Sequence, residues 1–350
     1  MNIRKIARVL LFILFLIVSA FILFILTISL TDYKPEKEIV LTNMPDAKAI
    51  NSDTIEILTW NTGYAGLDKD MDFFYDGGKK VRTTKAKTLE NLDSITSFIS
   101  QVNSDFIFLQ EVDKNSKRTY KIDMVTEIAV KKPDYAAIYA TNYNVPFVPM
   151  PVLSPMGKVE SGIMVLSKYV PLQSIRYAYP SEQVWIKQLF LLDRCFLVCR
   201  YYLNSGKQLV IINTHNSAFD SGGKQRNKEM AMLKDFVTNE FKQGNYVIAG
   251  GDWNQLPPIE EAKAYENIYT PYFRPHAIPD TLMPLPWKWV SDGNPTNRFV
   301  DEPYTKGTTK ETILDFFLIS PNVEVIETKR INKGYNNSDH NPVKAKFRLK

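Results

Sequence analysis

The stretch NYVIAGGDWNQLPP, residues 245–258, ends an apolar, β-branched run on Asp252 and Asn254 and then turns away on a proline pair. Such polar groups weaken a buried strand from within, but at its end a rigid strand delivers them to a sheet edge. The arrangement recurs. Asn61 follows TIEILTW (54–60), Glu111 lies near the end of DFIFLQEV (105–112) and His215 closes QLVIINTH (208–215). Asp315 enters ILDFFLIS (313–320), and Asp339 with His340 precedes PVKAKFRL (342–349). Further strands are predicted at SGIMVLSK (161–168) and CFLVCRYYL (195–203). Helical periodicity covers 84–102, with Leu89, Leu92, Ile95, Phe98 and Ile99 on one face, and 224–242, with Met230, Leu233, Phe236 and Val237. LNSGKQ between two runs predicts a hairpin, so the sheets are mixed and not purely parallel. The proline-rich segments 142–159 and 271–303 show no periodicity and are expected to be long loops.

If these strand ends meet, they gather carboxylates, carboxamides and two of the three histidines in the chain. Hard oxygen ligands such as Asn61 and Glu111 suit Mg²⁺ or Mn²⁺, and a histidine beside a carboxylate suits general base catalysis on water. Motifs of other chemistries, H-E-x-x-H, C-x-x-C, G-x-S-x-G, Walker A and G-x-G-x-x-G, are absent. Cys195 and Cys199 lie four apart on one strand, roughly 13 Å, too far to form a disulfide. The net charge is +5, but Arg4, Lys5 and Arg8 supply three of it, leaving residues 32–350 near neutral. Net charge therefore gives no support for tight polyanion binding.

Residues 9–30 are 22 uncharged, mostly apolar residues, roughly 33 Å as a helix, enough to cross a bilayer. The three basic residues before this run place the tail 1–8 in the cytoplasm and the bulk of the chain on the other side. Residues 31–52 are expected to be a polar tether, and 53–350 the folded domain.

TWNTG, FLQEVD, SGIMVLSK, INTHNSA, GGDWN, LDFFLIS and SDHNPV occur in an order and spacing that resembles the endonuclease/exonuclease/phosphatase superfamily. That superfamily includes deoxyribonuclease I-like nucleases, inositol polyphosphate 5-phosphatases and neutral sphingomyelinases. The resemblance spans about residues 53–350 and implies a four-layer α/β sandwich, two packed mixed sheets flanked by helices. It further implies metal binding by Asn61, Glu111 and Asp339, with His340 as general base oriented by Asp315. His215 would stabilise the phosphoryl oxygens, oriented by Glu160, and Asp252 and Asn254 would face the attacking water and the phosphate. Arg194 occupies the place of a phosphate-contacting arginine. Lys158 stands where the nucleases carry a tyrosine and is a second candidate phosphate contact. The implied substrate is a phosphate ester. The anchor, the near-neutral domain and the apolar loops favour a lipid or its headgroup, with a tethered nuclease as the alternative. No obligate protein partner is implied. A non-catalytic binding module would be marked by loss of a ligand or histidine, and none is lost.

Overall fold

A strand buried on both faces carries continuous apolar sequence, because each face meets a hydrophobic layer. The computed structural model describes residues 3–181, 185–218, 220 and 223–350, and the apolar runs form such strands in it. One sheet has seven strands, in the order β1 (Glu38–Asn43), β6 (Gln173–Ala178), β7 (Cys195–Tyr202), β8 (Gln208–His215), β9 (Tyr246–Asp252), β13 (Asp315–Ile319) and β10 (Lys288–Val290). The other has six, in the order β14 (Val323–Arg330), β15 (Val343–Leu349), β2 (Thr54–Asn61), β3 (Phe106–Asp113), β5 (Gly157–Ser167) and β4 (Ala136–Val148). Strands β11 (Asn297–Arg298) and β12 (Glu311–Thr312) pair separately. Within the two large sheets, β8 runs parallel to β9 and β2 parallel to β3, and the other pairs are antiparallel.

Side-chain alternation divides the core into layers. Ile55, Ile57, Phe106 and Phe108 face Leu197, Ile211, Ile248 and Phe317 between the sheets. The opposite faces, through Leu58, Ile107, Leu109 and Met164, pack under helices α2 (Lys85–Gln101) and α3 (Met124–Val130). On the seven-stranded sheet, Val198, Val210 and Val247 pack under helix α5 (Lys224–Lys242) through Met230, Leu233 and Val237. The result is the expected four-layer sandwich. Helix α1 (Ile3–Thr31) lies outside it, long and apolar enough to cross a membrane, and α4 (Trp185–Gln188) is a single turn. Cys195 and Cys199 are both buried and free.

Three expectations need correction. Residues 31–52 are not all tether, since β1 pairs with β6 at the sheet edge. An edge strand faces water along much of its length, so EIVLTN lacks the apolar continuity that marks the other strands. Neither 142–159 nor 271–303 is a loop throughout. The latter carries β10 and β11, too short to show a periodicity. Strand β4 runs through Pro146 to Val148, a placement open to proline because β4 is itself an edge. Leu89 is 47% exposed, while Leu92, Ile95 and Ile99 carry the packing of α2.

Candidate active site

Adjacent strands place His215, Asp252 and Asp315 in one row. His215 of β8 is in register with Asp252 of β9, which is in register with Asp315 of β13. Glycines make this row compact. A Cβ on Gly250 would lie 2.4 Å from the Phe317 ring, and one on Gly251, at φ +143°, would lie 2.0 Å from the Thr214 carbonyl oxygen. The GG pair thus lets β9 close against both neighbours, and Asp252 emerges at the edge.

The six-stranded sheet supplies the facing half. Asn61 ends β2, and Glu111 sits at a register shift of β3 against β5 with φ +54°, left-handed for a residue that has a Cβ. Bulges of this kind re-aim a side chain at some conformational cost. Gln110 and Asn213 tie the halves together in the core, with Gln110 Nε2 donating to Asn213 Oδ1 at 2.7 Å. The turn before β15 brings in Asp339 and His340, whose carbonyl accepts from Trp60 Nε1 at 2.9 Å.

These groups converge within hydrogen-bonding or ion-pair range. His340 Nδ1 is 2.7 Å from Asp315 Oδ2. Its Nε2 is 2.9 Å from the Asn297 carboxamide, 3.7 Å from Asp252 Oδ2 and 4.0 Å from Asp339 Oδ2. Asn61 Nδ2 donates to Asp252 Oδ2 at 2.9 Å and lies 3.4 Å from Glu111 Oε1. His215 Nε2 is 3.4 Å from Asp252 and 3.9 Å from Glu111. Asn254 donates its amide to the Asn216 carbonyl and its backbone N–H to Asp252.

Burial sets the protonation states. It opposes the His340 cation, but Asp315, Asp252 and Asp339 outweigh it and push the imidazole up to about 10. Burial also raises Asp252 to about 7, partly offset by His340, and raises Asp339 to about 6 with Glu111 adding to the effect. His215 is held well below its usual value by burial and by the Arg194 and His340 cations, and is neutral.

The set Asn61, Glu111 and Asp339 suits a hard divalent cation. Among the described residues, neither Glu111 nor Asp339 has a lysine or arginine within ion-pair distance; each reaches only a histidine at that range, while Arg298 acts on Asp339 and Arg194 on Glu111 from farther away. A Cβ on Gly63 would come within 2.8 Å of Asp339 Oδ1, so glycine keeps that side open. The Asn61 carboxamide oxygen accepts from Gly63 N–H at 3.0 Å, so ligation through it requires the amide to turn over. The tighter trio Asp252, Asp315 and His340 is less suited, because Asp315 already engages His340 Nδ1.

Two expected members are elsewhere. Glu160 does not touch His215. It pairs with Lys158 at 3.1 Å, and His215 Nδ1 is buried without a hydrogen-bond partner. The reason is strand alternation: Ser161 of β5 lines the cavity, so Lys158 and Glu160 point to the other face. Lys158 is therefore not placed to meet a phosphate bound at His340. Arg194 does line the cavity and donates to the His215 carbonyl at 3.3 Å, with no ion pair to Asp193. Asn297 was not anticipated. It lies in the aperiodic segment 271–303, where nothing local announces a contact with a histidine 43 positions away.

Above this floor the cavity encloses about 580 Å³. Tyr75, Tyr143, Phe190, Leu192, Tyr272 and Phe299 are among its walls. Its other arginines are engaged, Arg118 by Asp113 and Arg298 by backbone carbonyls.

A two-sheet sandwich that converges histidines and acids at one edge defines the class, a phosphoesterase fold. Residues 58–340 match the Endonuclease/Exonuclease/phosphatase family, and the chain belongs to it. Among solved structures, it is similar to the endonuclease/exonuclease/phosphatase from Beutenbergia cavernae DSM 12333, at 16% identity and a TM-score of 0.59 over 85% of this chain and 72% of that one. D. rerio TDP2 complexed with single strand DNA product matches at 15% identity and 0.53, over 85% and 100%. ANGEL2, a 2',3'-cyclic phosphatase, matches at 14% identity and 0.53, over 87% and 97%. Likeness at these identities concerns the fold. No curated protein matches the sequence.

Proposed function

We propose that the chain is a membrane-anchored phosphoester hydrolase, dependent on a divalent cation such as Mg²⁺ or Mn²⁺, that acts on a lipid or lipid-headgroup phosphodiester. The observation that carries the substrate class is the cavity. Its walls are mostly aromatic and aliphatic, and Arg194 is its one arginine not committed to a carboxylate or to a cluster of carbonyls among the described residues. An amphiphile with one phosphate suits such a site better than a polyanion, which needs repeated cationic contacts.

Asn61, Glu111 and Asp339 would hold the cation, which supplies polarisation of a phosphoryl oxygen when bound. Asp315 fixes the His340 ring through Nδ1, so Nε2 faces the cavity; with the carboxylate charge that holds the ring protonated offset by a cation on Glu111 and Asp339, Nε2 is left to take the proton of the attacking water beside Asp252. Asn297 positions that nitrogen from the other side. His215, neutral and buried, offers hydrogen bonding to the phosphoryl oxygens, and Arg194 adds the charge-assisted contact. Asn61, between Asp252 and Glu111, links the two halves of the site. Helix α1 would keep the domain on the non-cytoplasmic face of the membrane, with the basic tail inside.

The test is Mg²⁺-dependent hydrolysis by the full chain in detergent. Sphingomyelin and phosphatidylinositol phosphate vesicles are compared with plasmid DNA, and His340→Ala is the control. Loss of the general base should reduce turnover by roughly 10²–10⁴-fold. Nicked plasmid with intact vesicles would replace the lipid reading by a tethered nuclease, the reading to which the DNA product in the D. rerio structure lends support.

A further inference from the structure

Helix α1 does not stand apart from the sandwich. The Phe24 ring meets Phe147 edge-on, centroids 5.9 Å apart, and stacks against Phe190 at 6.4 Å, while Ile28 one turn later is buried. Phe24 lies six residues before Leu30, where the apolar run ends, a drop of roughly 9 Å along the helix axis. The run of about 33 Å nearly matches a hydrocarbon core of about 30 Å, so its end lies close to the boundary with the headgroups. A domain that touches α1 at Phe24 therefore reaches the bilayer surface with Phe147 and Phe190.

The segments carrying those two rings have the composition of an interfacial seat. Residues 145–156, VPFVPMPVLSPM, contain no charge, and 185–192, WIKQLFLL, contain only Lys187. Five of their apolar side chains point outward while Val145, Val148, Met156 and Leu189 stay buried: Leu153 is 99% exposed, Val152 77% and Trp185 61%, with Met150 and Ile186 also exposed. Exposed apolar groups gathered at one place mark a contact surface, and aromatic residues with a lone lysine favour the headgroup boundary. The same two segments also wall the cavity, through Met156, Phe190, Leu191 and Leu192.

We propose that the rim formed by residues 145–156 and 185–190 is seated in the leaflet into which α1 emerges. The cavity mouth then opens onto that leaflet and takes its phosphodiester lipid directly from the membrane plane. This rests on the anchored phosphoesterase reading above and adds how the substrate reaches the site.

The test uses the full chain in phosphatidylcholine liposomes. Cys195 and Cys199 are buried, so Leu153→Cys carries a single environment-sensitive fluorophore. Lys329→Cys on the exposed edge strand β14 is the control. The Leu153 label should shift its emission to the blue and be quenched severalfold by doxyl-labelled phosphatidylcholine, with the control unaffected. Equal, unquenched signals from the two positions overturn the seat. The double variant Val152→Asp/Leu153→Asp should hydrolyse sphingomyelin and phosphatidylinositol phosphate in the liposomes roughly tenfold more slowly. It should split bis(p-nitrophenyl) phosphate in detergent at the rate of the unmodified chain. Undiminished lipid hydrolysis by the variant overturns the leaflet-facing mouth. So does an unmodified chain that splits the soluble diester but no liposomal lipid. An unmodified chain inactive on both overturns the phosphoesterase reading instead, and the label position still decides the seat.

Discussion

Asp315→Asn removes the charge that holds the His340 imidazolium while leaving the shape of the pair almost unchanged. The bond is 2.7 Å long and Asp315 is wholly buried, with its other carboxylate oxygen unpartnered. A charge-assisted hydrogen bond in such a place contributes about 1.5–3 kcal/mol. That corresponds to about one to two pH units on His340 and roughly 10- to 150-fold in rate if the interaction persists into the transition state. In the cation-free protein the ring is pushed up to about 10 by the surrounding carboxylates, so the variant should titrate correspondingly lower. A raised histidine value stabilises the fold fully below the unfolded value near 6.5, and the contribution is lost as pH rises through about 10. The destabilisation by Asp315→Asn should therefore be largest in mild acid and shrink toward alkaline pH. Imidazole NMR on the full chain in detergent reads the titration directly, because the chain has three histidines. Rates on bis(p-nitrophenyl) phosphate across pH give the second readout. Unaltered His340 titration together with an unaltered rate would refute the pairing as the source of either effect.

Gly251→Ala places a Cβ where the Thr214 carbonyl oxygen stands and should lower Tm by roughly 5–10 °C, for a loss of about 3 kcal/mol, measured by thermal melts. A melt indistinguishable from the unmodified chain would show that β8 and β9 can part freely. Burial pushes Asp193 up to about 7, so the unmodified chain loses stability as pH rises from near 4 through 7. Asp193→Asn should remove that loss, melting higher than the unmodified chain at pH 8 and alike at pH 4; identical pH profiles would contradict it. Arg194→Lys keeps the charge but not the fork that reaches both the His215 carbonyl and the cavity, and should reduce kcat/KM roughly tenfold with Tm unchanged. Equal kcat/KM would remove Arg194 from the phosphate contacts.

Much of the fold was legible because its central strands are buried on both faces. LVII of QLVIINTH and YVIA of NYVIAGG are apolar at successive positions, TIEILTW alternates around Glu56 before Leu58 and Trp60, and runs of that length bounded by turn residues admit little else. The edges were harder to read. EIVLTN of β1 and the proline-containing end of β4 each have a face or a backbone edge in water, which removes the apolar signal and permits proline.

For the site, sequence by itself determined which groups stand at strand ends: Asn61, Glu111, His215, Asp252, Asp315, Asp339 and His340. That much is local, because a polar residue closing an apolar run has few other placements. Only the tertiary structure decided which of them touch. Register between strands aligned His215, Asp252 and Asp315, and alternation along β5 turned Glu160 away toward Lys158. Asn297 reached His340 from the two-residue strand β11, which no periodicity announces, and Phe24 met Phe147 and Phe190 from a helix more than a hundred residues away in sequence. Such contacts depend on how strands pair and which way a side chain faces. A one-residue change of register or parity reverses them while leaving composition and hydrophobic pattern almost untouched.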